Sequence, residues 1–578
     1  MPGVVPEYIN FGKGVKAFDL DKNNIAPSIG FSWALGERDG LLGALLGDDS
    51  IVRAGYSKSF SREGLTNYTG RFSSNPGLNL FGDPDRSVGN GNLGTLPLLL
   101  REPSRLGPGD FPESPTYPFA GSETDSINRF DQFIQVPWAD SMSFGIQRAL
   151  GRNHVIEARY VGTRSRDGWT TYNYNEANIV ENGFLDEFRA AQANLQANIA
   201  AGRGANFRYY GAGTGTSPLP IYLAYLSGVP TSQAGDASKY GSSLFANSNF
   251  VNPLNIWNPN PFTPASTNSN AGLYGAPGRR ANALAAGLPA NFFVVNPDKL
   301  GGAVITGNGG KTSYNALQLE LRRRYYNGLQ FNSSYVFGKM FGSERFSFRT
   351  PRLMRRDTGS PGDLTHAFKA NVVYDLPFGR GRRFASQANG VVERIVGGWS
   401  LGLNAKVQSG ILTDLGNRRL NGMSAKEAQK LFKVRIADNG DVFMWPQDVI
   451  DETIKAHSTS ATSATGYGSL GAPSGRYFSP ANGPDCIEVA PGFGDCGIGT
   501  LTLTGPLFRQ FDVSLSKRIL LAGHANVEFR VDALNAFNHH NYNPTSGVGG
   551  TTLTNYETNG LIGTDVARVL QFVARISF

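Results

Sequence analysis

Residues 568–578, at the carboxyl end of the chain, read RVLQFVARISF and decide the fold class. Alternate positions form an apolar face, made of Leu570, Phe572, Ala574 and Ile576. The opposite face carries Gln571, Arg575 and Ser577. A period of two predicts a strand, and about ten residues with one apolar face suit a tilted membrane-spanning strand. Taken alone, the stretch fits a half-buried strand of a soluble β-sandwich equally well.

The composition narrows the class of protein. The chain has 578 residues, of which 17% are charged, and it is rich in Gly (72), Phe (37) and Tyr (22). Its apolar runs, such as 98–100 or 41–46 with its glycine, are far shorter than the roughly 20 residues of a transmembrane helix. Any membrane span must therefore consist of strands. The net charge of +8 is scattered among acidic residues, which does not favour nucleic-acid binding.

Eleven segments of the chain show the same alternation, and we predict a strand for each. They are residues 24–35, 51–60, 141–149, 154–163, 313–324, 329–339, 366–376, 398–408, 511–520, 525–534 and 568–578. One helix is predicted within 175–202, from the apolar spacing of Phe184, Phe188, Leu195 and Ile199. Residues 61–138 and 409–505 are predicted to be long irregular loops.

The lengths of the connections between these segments alternate between short and long. Outer-membrane barrels have this asymmetry, with short periplasmic turns and long extracellular loops, whereas a soluble sandwich has no reason for it. The predicted fold is therefore all-β: an antiparallel transmembrane β-barrel with about 11 or 12 strands in this chain. Its extracellular loops are long, and one of them contains a helix.

A serine in residues 398–402 matches the nucleophile elbow of hydrolases, G-x-S-x-G. That elbow needs a strand, a sharp turn and a helix. Ser400 instead lies within an alternating run, so we interpret it as a lumen-facing strand residue, with an esterase as the rival hypothesis. The pair His539 and His540 is interpreted as part of a loop rather than a metal site. We predict no catalytic residue, cofactor or metal.

The chain has two cysteines, Cys486 and Cys496, in a segment rich in Gly and Pro. Their spacing of ten residues predicts a small disulfide in an extracellular loop and an oxidising compartment. Two thiols cannot complete a structural zinc site by themselves.

Several segments together resemble the barrel of TonB-dependent outer-membrane receptors, and the branch they look most like is the Oar-like receptors. They include SYNALQLELRRRYYNGLQFNSSYVFGK, HAFKANVVYDLPFGRGRRF, VEFRVDALNAFNHHNYNP and the terminal VLQFVARISF. The resemblance implies that the last strand is the signal read by the barrel-insertion machinery, with Leu570, Phe572, Ala574, Ile576 and Phe578 carrying it. It also implies contact with outer-membrane lipid and with TonB, the latter through an amino-terminal part.

The resemblance has clear departures. No signal peptide, TonB-contacting segment, carboxypeptidase-regulatory-like domain or plug domain is recognisable, and about half of the expected strands are present. Residues 1–578 are therefore expected to be the carboxyl-terminal portion of a receptor barrel. The expected function is binding and TonB-dependent uptake of a bulky solute at the outer membrane of a Gram-negative bacterium: an oligosaccharide, a peptide or a siderophore-like compound. The rival from another class is a secreted soluble β-rich adhesin or binding module. The sequence does not choose the ligand or its contact residues.

Overall fold

A computed structural model gives the fold of the chain. It describes residues 14, 16–36, 50–61, 65–73, 75, 126–256, 273, 277–289, 291–298, 301–345, 347–350, 352–357, 363–497, 500–521, 525–542, 559–560, 563–564 and 567–577. The terminal Phe578 of the predicted assembly signal lies outside the described residues.

One large antiparallel sheet holds all eleven predicted strands. They are β1 (Ser28–Leu35), β2 (Ser50–Phe60), β3 (Trp138–Leu150), β4 (His154–Asn173), β5 (Gly302–Tyr326), β6 (Leu329–Glu344), β7 (His366–Asp375), β8 (Trp399–Gln408), β9 (Phe508–Leu520), β10 (Asn526–Leu534) and β11 (Val569–Ser577). Each strand pairs with the next in the order of the chain. Within the described residues, β1 and β11 are the two ends of this order and do not pair with each other.

The pairing register gives the sheet one continuous apolar face. Ile576 lies opposite Val527, and Phe572 lies opposite Val531. The same face continues across the sheet through Leu515, Leu401, Val372, Phe331, Leu319, Ala158, Phe144, Ala54 and Phe31. Many of its large side chains are exposed, for example Phe572 at 74% and Ile576 at 58%. An exposed apolar face of this extent is what contact with lipid requires.

The opposite face of the sheet is polar and faces the lumen. Arg575 lies opposite Glu528, one position from the Ile576 pair. Side chains pair across neighbouring strands: Arg518 donates to Glu528 at 3.3 Å, and the Arg53 guanidinium donates to Gln147 at 3.2 Å. Transmembrane barrels have this arrangement, with polar side chains facing the interior and apolar side chains facing the lipid.

The strand bounds confirm the asymmetry of the connections, with one exception. Residues 36–49, 151–153, 327–328 and 521–525 are short connections at one end of the sheet, and 376–398 joins strands at the same end. Residues 61–137, 174–301, 345–365, 409–507 and 535–568 lie at the other end, and all but 345–365 are longer than 376–398. The hairpin between β5 and β6 turns at Asn327 and Gly328, which both have positive φ, as the Asn-Gly sequence predicts.

Helices lie between the strands, mostly in the long connections. They are α1 (Leu65–Phe72), α2 (Phe184–Ala200), α3 (Pro220–Ser227), α4 (Pro277–Ala285), α5 (Gly390–Val396), α6 (Ala425–Leu431) and α7 (Gln447–His457). The 3-10 helices are Thr231–Gln233, Ala237–Lys239, Ser243–Ala246 and Ser248–Val251. None of the helices that the structure describes combines the length and apolarity that a bilayer span demands.

Two of the predicted irregular loops contain regular structure. Residues 61–138 include α1 and the strand Ser126–Phe130, which pairs in parallel with β5. Residues 409–505 include α6, α7 and short strands: Leu412–Asn421, Arg435–Ile436, Val442–Phe443, Tyr477–Pro480 and Thr500–Thr504. The prediction of irregular loops was wrong there because most of these strands pair with residues distant in the sequence, and most are too short to show a period. The remaining short strands are Leu353–Arg356, Asn559–Gly560 and Gly563–Thr564.

Predicted helix α2 is confirmed, but the loop around it is shorter than predicted. Strand β4 continues to Asn173 and β5 begins at Gly302, so both strands extend beyond the predicted bounds. These extensions lengthen the sheet towards the long-loop end.

Lysine substitutions at two neighbouring positions of β11 test the register. Ile576→Lys puts a cation on the lipid face, which costs up to about 2 to 4 kcal/mol depending on depth, and should sharply reduce the folded protein in the outer membrane. Ser577→Lys faces the lumen and should be tolerated, whereas Phe578→Ala should lower insertion if the terminal aromatic is read during assembly. Immunoblots of outer-membrane fractions measure the three amounts. Equal harm from the two lysines would contradict the register.

Candidate solute-binding site

The described residues form two folded lobes at the long-loop end of the sheet. The first consists of residues 174–256, 273, 277–289 and 291–298. Its core is rich in aromatic side chains and includes Phe184, Phe188, Leu195, Phe207, Tyr222, Phe245, Phe250 and Phe293. Phe184, Phe188 and Leu195 lie on one side of α2, as their helical spacing predicts. The first lobe is therefore a packed unit with its own core.

A buried carboxylate joins two helices of the first lobe. The oxygens of Glu187, on α2, accept hydrogen bonds from the backbone N–H groups of Ile221 at 2.9 Å and Tyr222 at 2.8 Å. These are among the first N–H groups of α3, which have no partner within the helix. Burial raises the pKa of Glu187 to about 7, and the two backbone hydrogen bonds oppose that rise.

The second lobe is formed by residues 409–497 and 500–507. Trp445 lies at its centre, 4.6 Å from the ring of Phe478 and 5.0 Å from that of Phe432, measured between ring centroids. Its helix α6 starts with a capping box, in which Ser424 and Glu427 each bond to the other's backbone N–H. This lobe also has its own core.

A hairpin at 486–496 connects the two lobes. Its Ile487 is only 1% exposed and belongs to the core of the first lobe, although its chain belongs to the second. Asp495 accepts from the backbone N–H of Ile487 at 2.8 Å and forms an ion pair with Arg189 of α2. The Gln196 amide adds a hydrogen bond to the carbonyl of Ala461 at 2.8 Å. The two lobes are therefore packed against each other.

Cys486 and Cys496 lie at the two ends of this hairpin and are joined as a disulfide in the structure, with their Cα atoms 5.0 Å apart. That the pair forms in the native protein stays a prediction. The bond would hold the hairpin in the shape that inserts Ile487 into the first lobe.

A polar cavity of about 460 Å³ opens between the strand ends and the second lobe. We call it the mouth cavity. It is lined by residues at the long-loop ends of β4, β5 and β6 and from two short strands: Ser165, Gly168, Trp169, Gly310, Lys311, Thr312, Gly342, Ser343, Glu344, Arg355, Arg356, Asp357 and Asp414. Its volume lies within the range of sites for small molecules, roughly 300 to 1,000 Å³.

The arginines of the mouth cavity have acidic partners. Arg355 forms an ion pair with Glu344 and another with Asp414, at 3.2 Å. Arg356 forms an ion pair with the buried Asp363 and donates to the Thr365 hydroxyl at 2.8 Å. These ion pairs connect residues 345–365, which we call the arm, with β6 and the second lobe. They therefore help to fix the shape of the cavity, and they supply charged groups of its wall.

Glycines keep the wall of the mouth cavity thin. A Cβ at Gly310 would lie 2.9 Å from the backbone oxygen of Gly168 on the neighbouring strand, so the two strands approach closely only because both residues are glycine. At Gly342, by contrast, a Cβ would meet nothing within 4 Å except a carboxylate oxygen of Asp357 at 3.9 Å. The cavity therefore has free space beside Gly342.

The serine and histidine motifs, for which we predict no catalytic or metal role, lie away from this cavity. Ser400 is inside β8, with its hydroxyl donating to Asp375 at 2.9 Å, and the strand-turn-helix geometry of a nucleophile elbow is not present there. His539 follows β10, where its Nδ1 lies 3.3 Å from an Arg509 guanidinium nitrogen. Over the part of the chain that the structure describes, no three His, Cys, Asp or Glu side chains form a candidate metal site.

The sequence did not identify the mouth cavity. Its lining comes from five separate stretches of the chain, and the pairing of Arg355 with Asp414 spans 59 residues. The available signal was the density of arginine in 345–356, where five of twelve residues are arginine: Arg345, Arg349, Arg352, Arg355 and Arg356.

A family model described as an outer membrane beta-barrel domain matches residues 4–571. The chain belongs to this family, and its place is the outer membrane of a Gram-negative bacterium. The rival hypothesis of a secreted soluble adhesin is thereby overturned. No curated protein sequence matches the chain significantly.

The chain is also similar to solved outer-membrane proteins. The outer-membrane transporter YddB of Escherichia coli is 9% identical, with 96% of this chain and 40% of that one covered, at a TM-score of 0.32. The pyoverdine receptor FpvA of Pseudomonas aeruginosa is 8% identical, with 96% and 36% covered, at 0.30. The ferric-catecholate import receptor Fiu of E. coli is 9% identical, with 95% and 34% covered, at 0.28. The chain thus spans at most two fifths of their length, and TM-scores this low carry no argument about function.

Replacing both cysteines with serine should loosen the hairpin and leave the sheet intact. A ring of this size is worth about 2 to 3 kcal/mol by loop-closure entropy, and the strand ladders do not depend on it. Proteolysis within 482–496 should therefore become faster in Cys486→Ser/Cys496→Ser, and reductant should have the same effect on the wild type but none on the variant. Two free thiols in unreduced, unfolded wild type would refute the disulfide.

The buried Glu187 should make the first lobe less stable as pH rises. Its pKa is about 7 in the fold, above the ordinary value of 4.5, so its contribution is fully present below pH 4.5 and is lost as pH rises through 7. The loss amounts to roughly 3 kcal/mol at most. Hydrogen exchange of the α3 amides should be faster at pH 7.5 than at pH 5 after correction for intrinsic rates, and Glu187→Gln should remove this difference.

The measurement must be local because Glu488, in the second lobe, also has a pKa raised to about 7 by burial. Asp186→Asn, at an exposed carboxylate in the same turn of α2, is the matched control and should retain the wild-type difference. A wild-type lobe with equal corrected protection at the two pH values would contradict the assignment.

Proposed function

We propose that the chain is the membrane barrel of an outer-membrane receptor that binds a bulky solute on the extracellular side and admits it through the polar lumen. The observation that carries the proposal is the position of the mouth cavity. It lies at the long-loop ends of β4, β5 and β6, beside the arm at 345–365 and Asp414 of the second lobe. A solute bound there would stand at the entrance of the lumen.

Two structured lobes are more than a simple pore requires. Their cores hold large aromatic side chains, and the hairpin at 486–496 ties them together. Long loops with their own packing are usually functional. Recognition of a solute before passage accounts for them, whereas passive diffusion through an open channel does not need them.

We further propose that the chain is the carboxyl-terminal portion of a larger barrel. The described strands alternate in direction, so the first and the eleventh run the same way. A closed antiparallel barrel needs an even number of strands. Closure between β1 and β11 therefore needs an odd number of additional strands, and a TonB-contacting segment and a plug would belong to the same additional part.

In this proposal β11 also serves as the assembly signal, with Leu570, Phe572, Ala574 and Ile576 on its outer face and Phe578 at its end. Support comes from the exposure of Leu570, Phe572 and Ile576 on an end strand, where backbone groups remain available for pairing during insertion. The insertion machinery and outer-membrane lipid are the partners this implies.

Two experiments on the complete receptor test the function. Unboiled samples should migrate differently from boiled ones in a detergent gel, since a closed barrel resists unfolding by detergent. Cells that carry the receptor should take up one of the solutes of the proposed classes, and loss of the energy-coupling partner should abolish uptake. Identical migration, together with recovery as a soluble monomer without detergent, would contradict the barrel; uptake that persists without coupling would contradict TonB dependence.

A further inference from the structure

We infer that the mouth cavity takes a sugar unit of an uncharged oligosaccharide. The inference rests on the proposed function and names the class of solute that the receptor recognises. It is carried by the charge balance of the cavity wall, by its mixture of donors and acceptors, and by one fixed indole ring.

The charges of the wall balance. Its cations are Lys311, Arg355 and Arg356, and its anions are Glu344, Asp357 and Asp414. Both guanidinium groups already bind carboxylates: Arg355 binds Glu344 and Asp414, and Arg356 binds Asp363. An anionic solute that bound either guanidinium group would have to displace one of these carboxylates, which would leave a partly buried charge without its partner. Lys311 is the remaining cation, and the charge of Asp357 in the same wall offsets it. The wall therefore favours a neutral ligand.

The hydrogen-bonding groups of the wall are of both kinds. Guanidinium and ammonium groups only donate, ionised carboxylates only accept, and the hydroxyls of Ser165, Thr312 and Ser343 do either. A sugar hydroxyl both donates and accepts, so a ring bearing several hydroxyls can satisfy neighbouring groups of either kind. A peptide presents its amides at a fixed spacing and offers fewer such groups for the same volume, which makes a sugar the better match.

Trp169 supplies an apolar surface in a wall that is otherwise polar. Its indole N–H donates to the carbonyl of Gln135 at 3.0 Å, and its ring lies 5.3 Å from that of Phe130 in an edge-to-face arrangement. These contacts hold the ring in one orientation in the absence of ligand. A sugar ring has an apolar C–H face that packs against an aromatic side chain, while its hydroxyls point to the polar wall.

The free space beside Gly342 allows a specific test. Gly342→Leu should fill part of the cavity without a backbone clash, because only Asp357 Oδ2 lies within 4 Å of a Cβ placed there. Lys339→Leu is the matched control on β6, because Lys339 shares the outer face with Phe337. Trp169→Ala removes the apolar surface and supplies an independent second variant.

The experiment uses the complete receptor, purified in detergent, and isothermal titration calorimetry. The probes are uncharged oligomers of glucose, xylose and mannose, with oligogalacturonate as the anionic set, neutral peptides, and a ferric siderophore. We expect a neutral oligosaccharide to bind, Gly342→Leu and Trp169→Ala to weaken its Kd about tenfold or more, and Lys339→Leu to leave it unchanged. Raising the salt concentration to about 0.5 M, at which interactions between exposed charges are strongly screened, should change the Kd of the neutral oligosaccharide little.

Preference for the anionic oligomer, the siderophore or the peptides over every neutral sugar would overturn the inference, and so would sugar binding that is insensitive to Gly342→Leu and Trp169→Ala. Failure of all neutral sugars to bind would overturn it as well. In these cases, energy-dependent uptake of another solute would leave the proposed function standing. Absence of uptake for every solute class would instead count against the proposed function itself.

Discussion

Backbone pairing between strands is the constraint on which the rest of the structure depends. Within a bilayer no water is available, so every N–H and C=O group of a span must bond to protein. Each inner strand of this sheet meets that requirement with an antiparallel neighbour on either side. Once the register is fixed, alternate side chains face opposite sides of the sheet. A slip of one residue would therefore put Arg575 in lipid and Ile576 in the lumen.

The same constraint allows the elaborate structure at the long-loop end. Short connections such as Asn327 and Gly328 suffice to reverse the chain at one end, so the long insertions accumulate at the other. There the chain is outside the bilayer and can build lobes with ordinary buried cores. The mouth cavity lies between the membrane sheet and the structured connections. Strands β4, β5 and β6 form one wall, and the ion pairs of Arg355 and Arg356 hold the arm at 345–365 in place beside it.

The strands and the first helix could be predicted because their patterns are local. Period-two alternation marks β5 through Leu317, Leu319 and Leu321, and helical spacing marks α2. The second lobe was not predicted, since its strands depend on distant pairings such as Leu420 with Phe478. One local signal was available there, the capping box that starts α6 at Ser424. The position and lining of the cavity could not be predicted from the sequence, because they depend on which of several arginines pairs with which carboxylate.

The central claim is that one face of the sheet contacts lipid and the other lines the lumen. Spin labels at single cysteines along β5, in a background with Cys486 and Cys496 replaced by serine, measure this most directly through their accessibility to oxygen and to a water-soluble nickel complex in membranes. Labels at Leu317, Leu319 and Leu321 should favour oxygen, and labels at Gln318, Glu320 and Arg322 should favour the nickel complex. Equal accessibility at neighbouring positions would contradict a two-faced membrane sheet.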